Sequence, residues 1–133
     1  MKAFIQNQLN NISWPVTITN GRLNKKIKAL KPTSNNQLQI IHTSAASNYY
    51  LKYDDFYSAL ESSLIQIIRT GNKTIDSDDL KSFVPSAFDD HACPATAHSC
   101  NRAAFFALLL ILGIARNVTG GVKGAPYAAL LFP

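Results

Sequence analysis

The chain has 133 residues, 47% of them hydrophobic and 16% charged, with a formal net charge of +5. That length fits a single domain, residues 1–133, able to bury about two-thirds of its unfolded surface, and the composition excludes a disordered, repetitive or collagen-like chain. The most apolar run, Ala103 to Ala115, spans 13 residues; this falls short of the roughly 20 needed to cross a bilayer, so no membrane partner is expected.

The opening stretch MKAFIQNQLNNISWP carries one lysine and no continuous apolar core. It makes a poor secretory signal, and the expected location is cytoplasmic. On that reading the Asn-x-Ser/Thr triplets at Asn11, Asn72 and Asn117 are chance matches. VTITNGRLNKKIKAL follows, with Asn20-Gly21 between two β-prone runs, the signal for a two-residue hairpin turn. Alternation in the second run places Leu23, Ile27 and Ala29 inward and Arg22, Asn24, Lys26 and Lys28 outward. Lys25 falls on the inward parity, at a bulge or beyond the edge of the core. After the loop KPTSNN, which begins at Lys31, come QLQIIHT and NYYLKYDDF. Tyr49, Leu51 and Tyr53 then share one face, while Tyr50 and Lys52 share the other. The first 53 residues read as a four-stranded antiparallel meander with one basic, partly aromatic face.

Helices come next. Asp54 or Asp55 can cap a helix whose apolar stripe is Phe56, Leu60, Leu64 and Ile67, with Arg69 in its last turn and Gly71 ending it. IDSDDLKSFVP predicts a second, short helix: Asp76 as N-cap, Asp79 completing a capping box, Ile75 and Leu80 as a hydrophobic staple, and Pro85 as the stop. A third helix over Arg102–Gly113 is apolar all round and is therefore buried, and IARNVTGGVKGAPYAALLF reads as strand, turn, strand. The fold class is α+β: an N-terminal meander, three helices and a C-terminal hairpin.

Over residues 54–133, helix, short helix, helix and hairpin resemble the layout of a winged-helix domain, with GGVKG as the tip of the wing. The resemblance implies nucleic-acid binding. It departs from that pattern in one respect, because a recognition helix needs a polar face to enter the major groove and Ala103–Ala115 has no polar side chain.

The stretch HACPATAHSC raises a separate question. His91, Cys93, His98 and Cys100 offer two imidazoles and two thiolates to a zinc ion, although one residue inside each pair is tighter than the usual two to four. A disulfide between the cysteines is disfavoured by the cytoplasmic reading. The expectation is a small buried Cys100, a fold that needs neither metal nor disulfide, and no cofactor, with zinc as the alternative. Ser99 can cap the third helix, so His98, Asn101 and Arg102 surround a helix N-terminus that favours an anion.

Charge decides the expected function. Residues 1–53 hold Lys2, Arg22, Lys25, Lys26, Lys28, Lys31 and Lys52 and no acid, giving +7; residues 54–90 hold all eight acids against three bases, giving −5. Such segregation presents a basic face to an anionic partner, most commonly nucleic acid. The expected function is non-catalytic binding of double-stranded DNA through the sheet face. The basic side chains would meet phosphates, and Asn24, Asn48 or Tyr50 bases or sugars. A single strand would depend more on stacking at Tyr50. Two other readings fit: a small inhibitor-type protein that sets this face against an acidic protein, and a metal- or thiol-dependent hydrolase or nuclease built on the His91–Cys100 loop. With no complete catalytic signature and the aspartates absorbed by caps, the sequence leans away from an enzyme.

Overall fold

The computed structural model describes residues 2–24, 27–43, 49–89, 98–120 and 128–131. The architecture is α+β. It begins with a helix, α1 (Lys2–Asn10), that the sequence reading did not anticipate. Only Ile5 and Leu9 turn inward, one helical turn apart, while Phe4 stays exposed. Four strands follow, β1 (Val16–Thr17), β2 (Ile27–Pro32), β3 (Gln37–His42) and β4 (Tyr49–Lys52), in an antiparallel sheet of order β1-β2-β3-β4. This is the expected meander.

Its first connection differs from the expected two-residue hairpin. The Asn20 side-chain oxygen accepts hydrogen bonds from the backbone N–H groups of Arg22 and Leu23, and its carbonyl accepts from Asn24 N–H. Asn20 thus acts as the cap of one helical turn over 21–24, and β2 starts at Ile27 rather than at Arg22. A register shift between Ile27 and Ala29 makes Lys28 the extra residue of a bulge. Past it, Leu30 joins Ile27 in the core, and Lys31 falls within the strand instead of in a loop.

The remaining chain builds α2 (Tyr53–Thr70), β5 (Thr74–Asp76), α3 (Ser77–Phe83), α4 (Pro85–Phe88), α5 (His98–Ile111), β6 (Ala115–Thr119) and β7 (Ala128–Leu131). Phe56 and Leu60 of α2 are buried, and Gly71 ends that helix in the left-handed region at φ 73°, a conformation that costs glycine little. The residue before α2 is Lys52, which makes no side-chain cap. Asp54 and Asp55 therefore sit inside the first turn and act through the helix dipole, contrary to the expected cap. The second expected cap is present: Asp76 accepts from Asp79 N–H, and Asp79 accepts from Asp76 N–H, each at 3.0 Å. We expect Asp76→Ala to cost about 1 kcal/mol in urea unfolding. Pro85 both follows α3 and opens the one-turn helix α4, a role its fixed φ suits. The short strand β5, also unanticipated, pairs with β7 in a second antiparallel sheet of order β5-β7-β6.

Between these parts lies one hydrophobic cluster containing residues from Ile5 to Val118. Helix α5 is its axis, with Cys100 and every residue from Ala103 to Leu109 buried. Phe105 stands at the centre, 5.3 Å from Phe56, 5.9 Å from Phe88 and 5.4 Å from Phe106 between ring centroids. Among the described residues, no helix is long and apolar enough to cross a membrane.

Candidate nucleic-acid interface

Register fixes the outer face of the N-terminal sheet. Leu38, Ile40, Tyr49 and Leu51 point into the core, so their neighbours Gln37, Gln39, Tyr50 and Lys52 point outward. Lys31 pairs with Gln39 and Gln39 with Tyr50, which aligns the three in a row across β2, β3 and β4. One step along β4, Lys52 pairs with Gln37. Lys28, Lys31 and Lys52 are exposed, as is Tyr50 at 41%. These strands contain no Asp or Glu, so the face sets three lysines and two glutamines around one exposed ring; at its end Lys52 lies near Asp55, whose carboxyl is pushed up by burial and pulled down by that lysine. Gln37 and Gln39 are legible in the alternation of QLQII, where each flanks a core-facing residue.

Arg22 and Asn24 lie in the helical turn rather than on a strand, both exposed. The Arg22 guanidinium reaches the Gly120 carbonyl at 3.5 Å, which brings this turn beside the end of β6. Lys25, Lys26 and Asn48 lie outside the described residues, as do His91 and Cys93.

The expected anion site at the start of α5 is corrected. Asn101 is buried, and its amide donates to Ala87 O at 3.0 Å. Arg102 donates to Phe88 O at 2.8 Å and also to Asp89 O. Both side chains are engaged with carbonyls at the end of α4, groups that a one-turn helix leaves without internal partners. They fasten α4 to α5. His98 is the first residue of α5.

Cys100 is buried as expected, but it is disulfide-bonded, which overturns the expectation of free thiols. The chain's one other cysteine is Cys93. The expectation failed because it was drawn from a presumed reducing compartment, not from any property of the two residues. Oxidised, Cys100 has no thiolate to give a metal, so the zinc set His91, Cys93, His98 and Cys100 requires the reduced chain. Among the described residues no group of three or more metal-binding side chains comes together. Loss of a native disulfide from a small domain costs about 2–5 kcal/mol, so reductant should lower the thermal midpoint. An unchanged midpoint would show that the bond contributes nothing.

A groove of about 490 Å³ opens at one end of the sheet, between α1, the β2–β3 turn and the start of α2. Trp14, Tyr53 and Tyr57 provide its aromatic walls. The Tyr53 and Tyr57 rings stack at 6.2 Å, and the indole N–H of Trp14 donates to Leu9 O at 3.2 Å. Burial, and then the neighbouring Tyr57, push Tyr53 up to about 12, so its hydroxyl keeps its proton at any physiological pH. At the rim Lys2 pairs with Asp54 at 3.5 Å, and its ammonium lies 5.4 Å from the Tyr57 ring centroid. These groove residues come from sequence positions 2 to 57 and share no motif that a linear reading could find.

Comparison with protein families, with curated proteins and with solved structures found no match.

Proposed function

We propose that the chain binds nucleic acid without catalysis, through the outer face of the β1–β4 sheet. The observation that carries this reading is the row Lys31–Gln39–Tyr50, flanked by Lys28 and Lys52 on strands without an acidic residue. Lysines meet phosphates without regard to sequence, while glutamine amides and a tyrosine ring offer contacts to bases. The charge pattern alone points to double-stranded DNA. The geometry favours a single strand, because an open sheet face bearing an exposed ring is a stacking platform, whereas a duplex presents its bases only within grooves that call for an inserted helix or ribbon.

The winged-helix resemblance of residues 54–133, where the elements run α2, β5, α3, α4, α5, β6, β7, stays part of this proposal. Burial of α5 leaves it no face for a major groove, so in this reading the helical part is the scaffold and the sheet is the surface. The cytoplasmic location goes with a reduced Cys100, and its disulfide with an oxidising compartment. An acidic protein partner would use the same lysines.

Anisotropy titrations of a labelled single-stranded 12-mer and of its duplex test the proposal. Affinity for the single strand should be higher and should fall with salt. Tight binding of an acidic protein, with no affinity for either nucleic acid at low salt, would replace it.

A further inference from the structure

The outward side of α2 breaks the pattern of a surface helix. Opposite the buried Phe56 and Leu60 it carries Ile65, 43% exposed, and Ile68, 82% exposed, where a helix face turned to water is ordinarily polar. Exposed positions along this side fall at Asp54, Ser58, Glu61, Ile65 and Ile68, in alternating steps of four and three residues. That is the spacing of the seam between two paired helices. Beside Ile65 a recess of about 450 Å³ runs to Phe83 at the end of α3, so the apolar strip extends beyond α2 itself.

The charges on the same side say what covers it. Glu61 stands one turn before the two isoleucines, and Arg69 and Lys73 follow them. All three are exposed, and none has an ion-pair partner among the described residues. A second copy laid parallel would set Glu61 against Glu61 and Arg69 against Arg69. Laid antiparallel about a two-fold axis at Ile65, it sets each Glu61 against the other copy's Arg69, because positions 61 and 69 lie four residues to either side. Ile65 then meets its own counterpart on the axis, with Ile68 close by. A face that matches itself in this way meets the requirement for an isologous pair. Any other partner would have to repeat the same order of acid, isoleucines and base, which a second copy supplies.

We infer that α2 is the contact helix of a weak antiparallel homodimer centred on Ile65, with two Glu61–Arg69 pairs across it. Two isoleucines a side fall short of the roughly 1,200–2,000 Å² of a stable interface, so Kd should be on the order of 0.1 mM. Copies are then separate at the micromolar concentrations of unfolding and binding experiments. None of these residues lies on the β1–β4 sheet, so the pairing stands or falls apart from the sheet-face reading.

Sedimentation equilibrium of the full chain, from micromolar to millimolar concentration at low salt, tests the inference. The wild type should pass reversibly from monomer to dimer, and Ile68→Asp should stay monomeric. Glu61→Arg and Arg69→Glu should each weaken the dimer about tenfold, since two-fold symmetry turns two attractive contacts into repulsive ones. The double variant Glu61→Arg/Arg69→Glu should regain wild-type affinity, and an equimolar mixture of the two single variants should form a heterodimer. Circular dichroism checks that each variant keeps its fold, as exposed positions permit. A wild type that stays monomeric to millimolar concentration overturns the inference. So does a dimer indifferent to both reversals, because another face then forms it. Loss in both single variants, with no rescue in the double variant or the mixture, shows that Glu61 and Arg69 do not face each other and overturns the antiparallel pairing.

Discussion

Phe105→Ala should cost about 3–5 kcal/mol in urea unfolding, the range for deleting a buried phenylalanine. Phe105 is wholly buried and contacts three other phenylalanines, contributed by α2, α4 and α5 itself. The backbone of α5 is held on both sides, by the sheet and by the helices, so the cavity left by the ring has little room to collapse. A domain of this size is stable by about 5–15 kcal/mol, so the variant would lose between about a fifth and all of it. Ile68→Ala is the matched control: Ile68 is 82% exposed on α2, and its loss should stay within about 0.5 kcal/mol. A cost below about 1 kcal/mol for Phe105→Ala would mean that α5 is not the axis of the core.

The second large effect concerns binding. Replacing Lys28, Lys31 and Lys52 together by alanine removes three exposed cations from one face. Each neutralised phosphate contributes about 0.7 to the salt slope of a single strand and about 0.9 to that of a duplex. The triple variant should therefore show a log-affinity against log-salt slope shallower by about two units, with affinity lowered for all sequences alike. Tyr50→Ala should leave the slope unchanged and still weaken a single strand, because stacking carries no counterion release. Lys73→Ala/Lys81→Ala is the control, and its effect should be small: Lys81 already pairs with Asp78 at 2.9 Å, and Lys73 lies outside the sheet.

Much of the frame was legible in the sequence because local signals and burial agreed. The alternation of Tyr49, Tyr50, Leu51 and Lys52 gave the two faces of β4, and Asp76 with Asp79 gave a capping box that formed as written. The apolar run after Arg102 could only be an interior helix, and it is one. Failures came where one local signal displaced another. At Asn20 the side chain captured two backbone N–H groups, which turned a hairpin signal into a helical turn and delayed β2 by five residues, from Arg22 to Ile27. The bulge at Lys28 then exchanged parity, moving Leu30 into the core and bringing Lys31 to the surface beside Gln39.

Other features could not be read because tertiary packing creates them. Helix α1 has only two inward apolar residues among amides, too faint a period to stand out. Asn101 and Arg102 look like solvent-facing residues at a helix start, and only the proximity of α4 reveals that its carbonyls occupy them. The groove joins Lys2, Trp14, Asn36 and Tyr53 across more than fifty residues of chain. The lack of acids within the strands was legible, but their neighbours were not, since folding sets Asp54 against Lys2 and Asp55 beside Lys52.

The most direct test of the sheet-face reading is the salt dependence of binding for one labelled 12-mer, single-stranded and as a duplex, measured side by side for the wild type, the Lys28/Lys31/Lys52 alanine variant and the Lys73/Lys81 control. The account predicts tighter binding of the single strand and a linear decline of log affinity with log salt. It also predicts a slope shallower by about two units in the triple variant, and a control that follows the wild type. No measurable binding of either form by the wild type at low salt, or a control pair that matters as much as the three sheet lysines, would contradict it.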